Sequence, residues 1–552
     1  MKSCIRALIA LALALAALPP VSANQQPAPA TSPRLVVLLV VDQLRSDYLE
    51  EYSARFTGGL QRLMKEGAWF RNSAYPYLNT VTCPGHATIG TGALPWHHGM
   101  ILNEWLDRTT WRPVACTEDA GSKEVVYDGG PTTEGDSAKR LLVPTLAEQM
   151  RDRAKARVVT MSLKPRSAIM MAGAKADAVV WLNERGSWAT SSAYTRQPVT
   201  VIKRFIDANP IAADFEKVWQ RSLEASAYKH EDDAAGEVPP TGWTRTFPHT
   251  IGTPGGKPDP RFIGHWQRSP FADEYLGRMA IAAVEGWQLG RGEGTDFLGI
   301  SFSSLDSIGH GFGPRSHEVQ DLLLRLDITI GHLLNALDER VGRGNYVVGF
   351  SSDHGVAVIP EQLGDKAGRQ LNKPTADALE RTLASSLGPG GPHVAMVAYT
   401  DVYLMPGVFD RLKENPRAMM LALETLRKLP GVAHAFRADE LTSKDARNSA
   451  DPARRAAALS YHRDRSGDFV IVPRENWLFA SSATTHGTLY PYDQRVPVIL
   501  FGTGVAPGVY TQDASPADIA PTLAAIASVR TRPMDGRVLQ EALRLAPSTS
   551  GN

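Results

Sequence analysis

The 552-residue chain has three cysteines, Cys4, Cys83 and Cys116, too few for a mini-protein held together by a disulfide framework. It has no surplus charge of either sign, since 59 Lys and Arg stand against 58 Asp and Glu for a formal net charge of +1. That balance excludes a nucleic-acid binder relying on a bulk positive field. No apolar run reaches the roughly twenty residues that a membrane span requires. An internal repeat, a coiled-coil heptad and a glycine-rich dinucleotide loop are absent as well, and each absence removes an architecture. What is present is a globular composition, 43% hydrophobic and 21% charged, which excludes a disordered tail protein and a collagen-like fibre. The length allows roughly three or four domains of about 150 residues, or one elaborated α/β enzyme domain.

The first residues differ from the rest. Lys2 and Arg6 precede an apolar run from Ala7 to Leu18, and Pro19 to Ala23 offers small residues at a cleavage position. Residues 1–23 therefore read as a secretory signal, too short for a span. Cys4 falls inside it without a lipobox, and removing the segment takes the formal charge from +1 to −1. Residues 24–33, built of Gln, Pro, Ala, Thr and Ser, read as a flexible leader. The expected mature protein is soluble and periplasmic or secreted, without stable membrane insertion.

Leu35 to Val41 is a continuous apolar run ending at Asp42, the pattern of a strand covered on both faces. Arg157 to Leu163 leads to Lys164, Phe297 to Phe302 leads to Asp306, and Tyr346 to Phe350 leads to Asp353-His354. Between the last two runs, Val319, Leu322, Leu323, Leu326, Ile330, Leu333, Leu334 and Leu337 step by three and four. These are core positions of a crossover helix, so the chain reads as α/β with a parallel sheet and helices on both faces. Ligands of such sheets bind outside the carboxyl ends of the strands, where the polar clusters fall.

Asp306 and His310 stand four residues apart after one strand, Asp353-His354 repeats the pair of residue types after another, and Asp42 ends a third. Zinc favours such nitrogen and oxygen donors. One such pair is weak by itself; two pairs and a further Asp at strand ends argue against chance. His486 gains meaning only from the need for one more ligand. In the stretch from Asn79 to Gly92, Pro84 disfavours helix at Cys83 and suits a first helical turn, so Thr82 is expected in an extended loop at a helix entrance. Free N–H groups there favour an anion; the plainer reading is that Thr82 only caps the helix.

Taken together, Thr82-Cys83-Pro84-Gly85-His86, Asp42, Asp306-x-x-x-His310, Asp353-His354-Gly355 and His486-Gly487 resemble the alkaline phosphatase superfamily, in its type I phosphodiesterase/nucleotide pyrophosphatase-like branch. Gly99 to Trp105, containing Asn103, and Ser162-Leu163-Lys164-Pro165-Arg166 resemble the PafA-type alkaline phosphatases of that branch. The resemblance implies an alkaline-phosphatase-like, mostly parallel central sheet with inserted cap subdomains. It implies two Zn²⁺ per chain, one on Asp306, His310 and His486 and the other on Asp42, Asp353 and His354, with Thr82 as nucleophile and further metal-binding residue beside the second. Asn103, Lys164 and Arg166 would then hold the phosphoryl oxygens, and turnover would pass through a phosphothreonine.

The chemistry needs such roles on its own account, because a threonine hydroxyl is a poor nucleophile near neutral pH until a metal stabilises its alkoxide. A Lys and an Arg suit a monoester, with three free oxygens and nearly two charges, better than a diester with one. The expected activity is hydrolysis of small-molecule phosphate monoesters by a monomer, with no nucleic-acid partner. Nucleotide pyrophosphatase/phosphodiesterase activity on the same site is the alternative, and a non-catalytic phosphate-ester-binding protein is one of another class. Such a binding protein should have lost a ligand or the nucleophile, and all seven positions are present. A sulfatase would need Cys-x-Pro-x-Arg, whereas Pro84 directly follows Cys83. A membrane phosphoethanolamine transferase would need spans that this chain lacks.

The catalytic domain is expected over 34–540, with insertions at about 167–295 and 360–480 and a tail at 541–552. The first insertion holds six of the eleven tryptophans, read as the core and docking face of a cap with some left to line a cleft. The second carries a helix signal around Ala418 to Leu429 and a strand at Val394 to Leu404. His86, His97, His98 and His317 are read as structural. Cys83 and Cys116 form an even pair in an exported chain, which favours a bridge, although a buried free thiol can also serve as a small apolar residue.

Overall fold

The computed structural model describes residues 32–130, 132–388 and 390–544. The signal-like segment and most of the leader and tail lie outside the described residues. β1 (Leu35–Val41) is buried at all seven positions. Its alternate side chains serve two cores, with Leu35, Val37, Leu39 and Val41 on one face and Val36, Leu38 and Val40 on the other, so no position on the strand tolerates a polar residue.

β2 (Val158–Ser162), β3 (Asp296–Phe302) and β4 (Tyr346–Ser351) match the other three apolar runs. β1 runs parallel to β3, Val41 facing Phe302, and parallel to β4, Val40 facing Ser351. β3 pairs in parallel with β2, Ser301 facing Ser162. The registers bring all four carboxyl ends to one edge of the sheet. Ala178–Leu182 adds a fifth parallel strand beside β2, and six further strands, joined mostly by antiparallel pairing, extend both sides to eleven in all.

α4 (His317–Leu337), the expected crossover helix, buries every one of the stepped leucines and is capped by the Ser316 hydroxyl, which accepts from the Val319 amide. Among the described residues no helix is long and apolar enough to cross a membrane.

The first expected insertion is less separate than the sequence implies. Trp181 and Trp188 sit in strands Ala178–Leu182 and Trp188–Ser191 of the central sheet, and helix Pro270–Trp287 packs against α4. Trp219, Trp243 and Trp266 are buried in the same core as β1, so these indoles are packing residues. The second insertion has its own four-stranded sheet, whose core includes Leu379, Leu383, Leu412 and Leu426. Its expected single strand is a hairpin: Val394–Ala398 and Asp401–Leu404 pair antiparallel about Tyr399 and Thr400. Tyr and Thr are strand-favouring residues, and Tyr399 makes the turn at φ +56°.

Candidate active site

Asp42 leaves the end of β1, and Asp353 and His354 follow β4. α3 (Ser304–Phe312) starts just after β3 and presents Asp306 and His310 one turn apart on one face. α1 (Thr82–Thr91) brings Thr82 to the same edge. Thr82 is itself the first helical residue, with Val81 as the N-cap in extended conformation, so the expected extended loop ends one residue earlier. Pro84 is accommodated in the first turn, where its missing N–H leaves no helical bond unmade. Gly85 lets α1 seat on the Asp353 backbone, because a Cβ there would lie 2.3 Å from the Asp353 carbonyl oxygen.

Three imidazoles are oriented alike. Nδ1 of His310 donates to the Thr484 carbonyl, Nδ1 of His354 to the Gly355 carbonyl and Nδ1 of His486 to the Thr80 carbonyl, each at 3.0 Å. Each Nε2 is thereby left as the lone-pair atom, the arrangement of a metal-ligating histidine. Nε2 of His310 lies 3.2 Å and Nε2 of His486 3.6 Å from Oδ1 of Asp306. Nε2 of His354 lies 3.4 Å from Oδ1 of Asp42 and 3.3 Å from Oδ2 of Asp353.

Two groups have donor atoms close enough to share an ion: Asp306 with His310 and His486, as expected, and Asp42 with Asp306 and His354. The second takes Asp306 where Asp353 was expected. Asp353 adjoins this group, its Oδ2 lying 3.3 Å from Nε2 of His354 and 3.2 Å from Nδ1 of His86.

The donor set fits divalent metal. Oδ1 of Asp42 and Oδ2 of Asp353 are buried without a hydrogen-bond partner, and three buried carboxylates face one ammonium, that of Lys164. Such a cluster needs compensating positive charge, and mixed imidazole and carboxylate donors suit zinc. Burial pushes the Asp42 carboxyl well above its ordinary range, and the neighbouring Asp353 and Asp306 add to this. Burial opposes ionisation of Asp353 too, but His354 and His86 outweigh it and hold that carboxyl low. Burial, reinforced by His354 and His310, lowers His486, and burial also lowers His354, which favours the neutral, metal-binding imidazole.

Oγ1 of Thr82 lies 3.5 Å from Nε2 of His354. Oδ1 of Asn103 accepts from the Cys83 amide at 2.8 Å, so the carboxamide is fixed and turns its NH₂ elsewhere. Cys83 and Cys116 are joined by a disulfide, and the Cys116 amide donates to the Asn103 carbonyl. Lys164 and Arg166 flank the start of α2 (Pro165–Ala172). Nζ of Lys164 bridges Oδ2 of Asp42 at 2.6 Å and Oδ2 of Asp306 at 2.5 Å, while Nε of Arg166 is buried without a hydrogen-bond partner.

Two residues left out of the expected site belong to it. Gln43 turns at φ +69° directly after Asp42. Its amide donates to Oδ1 of Asp353 and its Nε2 to Oδ1 of Asp306, tying together three strand ends. His86, read as structural, bonds the Thr82 carbonyl through Nδ1 and the Ser301 hydroxyl through Nε2 while facing Asp353. Nothing local marks either role; the only cue is that Gln43 adjoins Asp42 and His86 closes the Thr82 motif. His97, His98 and His317 pair with Asp535, Thr88 and Asp232, away from the metal groups.

A cavity of about 330 Å³ opens onto Asn103, His310 and His486. A roomier one, about 670 Å³ between helix Pro270–Trp287 and α4, contains none of the candidate residues.

A family model described as type I phosphodiesterase / nucleotide pyrophosphatase matches residues 36–495. Alkaline phosphatase PhoV of Synechococcus elongatus is 31% identical over 509 residues, covering 90% of this chain and 90% of that protein. Alkaline phosphatase PafA of Elizabethkingia meningoseptica is 31% identical over 517 residues, covering 90% and 92%. The crystal structure of wild-type PafA matches this fold with a TM-score of 0.83 at 29% identity, over 93% of this chain and 100% of that one.

Proposed function

The chain belongs to the type I phosphodiesterase/nucleotide pyrophosphatase family, and we propose that within it this protein is an exported, zinc-dependent alkaline phosphatase acting on phosphate monoesters. One observation carries the reading. The Thr82 hydroxyl opens a helix beside His354, against two overlapping carboxylate–imidazole clusters bridged by Lys164. The similarity to proteins named alkaline phosphatases supports it.

Asp306, His310 and His486 would hold one Zn²⁺ and Asp42, Asp353 and His354 a second, and such ions supply Lewis-acid stabilisation of negative charge on oxygen. Thr82 Oγ1 attacks phosphorus in line and forms the new P–O bond as the ester P–O bond breaks, its hydroxyl proton passing to solvent while the departing alkoxide takes one up from solvent and leaves as the alcohol. Water then attacks phosphorus, the P–Oγ1 bond breaks, a proton returns to Oγ1 to restore the hydroxyl, and inorganic phosphate leaves. The NH₂ of Asn103 donates to the phosphoryl oxygens. Lys164 exchanges its two carboxylate bonds for these oxygens, and Arg166 adds a planar pair of donors. Two cations and a carboxamide match a dianionic group with three free oxygens, which is why the monoester is preferred. The basic and then apolar residues 1–23 support export, and the Cys83–Cys116 bond suits an oxidising compartment.

The test is a side-by-side assay of the parent and of a Lys164→Ala/Arg166→Ala variant on p-nitrophenyl phosphate and bis-p-nitrophenyl phosphate, with metal analysis of each sample. The expected result is about two zinc per parent chain, a higher parent kcat/KM on the monoester, and a far larger loss on the monoester in the variant. A parent that prefers the diester would establish the phosphodiesterase alternative, which the family description favours.

A further inference from the structure

We propose that the second insertion builds a subsite for the ester group of the substrate, walled by Tyr399, which accepts uncharged organic groups with an apolar body and disfavours those carrying a second negative charge. The inference rests on the monoesterase reading and adds to it the class of alcohol released.

The cavity of about 330 Å³ shares Asn103, His310 and His486 with the reacting centre, so a phosphoryl group held there extends its fourth substituent into this space. Part of its wall is apolar: Leu102 lies on one side, and Met396, Val397 and Tyr399 come from the hairpin of the second insertion, while Asn372 and Thr485 add uncharged polar groups. The volume lies at the small end of ligand pockets, which suits a ring or a short chain. Among the described residues lining it there is no lysine or arginine, and Glu104 is the one charged side chain besides the two histidines. Lys164 and Arg166, which would meet the phosphoryl charge, are not part of this wall. A second anionic group on the ester side would meet a carboxylate and find no counter-charge.

Tyr399 is held in place by several independent contacts. Its backbone turns at φ +56°, a conformation that a bulky residue keeps only when its surroundings enforce it. Its hydroxyl donates to the His486 carbonyl at 2.5 Å, and its ring packs edge-on to Phe479. A Cβ on Gly487 would lie 2.7 Å from that ring, so the glycine makes room for it. The neighbouring Thr400 hydroxyl anchors the turn by donating to Asn79. Tyr399 thus offers a fixed aromatic surface to the ester group and, through its hydroxyl, positions the backbone of His486.

The experiment measures calorimetric binding of methylphosphonate, phenylphosphonate and 4-phosphonobenzoate to the zinc-loaded full chain, which reads the subsite without turnover. The parent should bind phenylphosphonate about five- to tenfold more tightly than methylphosphonate, the scale of one aromatic contact, and 4-phosphonobenzoate more weakly than phenylphosphonate. Tyr399→Ala should bring the phenyl-to-methyl ratio close to one, whereas Tyr399→Phe, which keeps the ring and loses the bond to His486, should preserve it. Glu104→Gln should restore binding of 4-phosphonobenzoate. Because Glu104 is exposed, this arm stands even if Tyr399→Ala does not fold. An unchanged ratio in Tyr399→Ala, or no gain in Glu104→Gln, would overturn the inference. A parent binding all three alike overturns it alone; one binding none overturns the phosphatase reading along with it.

Discussion

Thr82 is tethered at both ends, its hydroxyl 3.5 Å from Nε2 of His354 and its carbonyl bonded to His86. Removing the hydroxyl deletes the attacking atom and leaves the carboxylate and imidazole donors in place. Thr82→Ala should therefore keep its zinc content and thermal midpoint while kcat/KM falls by several orders of magnitude; near-parental turnover would rule out the covalent route. Gln43 calls for a different readout, because its Nε2 donates to Oδ1 of Asp306 while the residue is no metal ligand itself. Gln43→Ala should release zinc to a chelator about 10- to 100-fold more readily, measured by metal analysis against time, with the far-ultraviolet spectrum unchanged. The difference between the two residues shows what a sequence can disclose. Asp42, Asp306 and Asp353 are legible because each ends an apolar run, which is local. Gln43 and His86 act through partners more than two hundred positions away, and no local pattern encodes such a pairing.

At the scale of elements, the four buried strands were readable because a strand covered on both faces must be apolar throughout. The turn at Tyr399-Thr400 was not, because neither residue type signals a turn and the surrounding packing overrides the preference. The disulfide belongs to this scale as well. It joins the first turn of α1 to the turn that follows strand Arg112–Ala115, across a separation of 33 residues, and the Cys83 and Cys116 amides also bond the side chain and carbonyl of Asn103. Closing a loop of that length stabilises the fold by about 3–4 kcal/mol in the chain-entropy account. Cys116→Ala should lower the denaturation midpoint accordingly. Titration with a reductant should reduce activity before the circular dichroism changes, since Asn103 loses part of its support first. Two free thiols in the denatured, unreduced mature protein would remove the basis for both expectations.

Across the whole molecule, the first insertion is fused to the central core through a buried polar contact at the start of α4. Glu318 is fully buried there, with Oε1 2.8 Å from Nε2 of His249 and Oε2 without a partner. Burial pushes the Glu318 carboxyl up to about 9 and draws His249 down to about 3, so near pH 7 the pair is neutral and the carboxyl O–H donates to the imidazole. Glu237, also buried, is pushed up to about 8 and raises Glu318 further. The direction of the linkage follows from proton counts. Between the ordinary glutamate range and about pH 9 the folded chain holds a proton on Glu318 that the unfolded chain has released, so this contribution is complete at low pH and is lost as pH rises towards 9. His249 acts oppositely: below the ordinary histidine range the unfolded chain binds the extra proton, so stability is lost as pH falls towards 3. With zinc held saturating, the thermal midpoint of the parent should decline from about pH 5 towards pH 9. Glu318→Gln keeps a donor for His249 and cannot ionise, so its midpoint should decline less over the same range, with the remaining slope shared by Glu237 and the other carboxyls that burial raises, Asp273 and Asp493 among them. Scanning calorimetry of both proteins across that range decides the matter: parallel declines would show that Glu318 is ionised in the folded chain and forms a charged pair with His249.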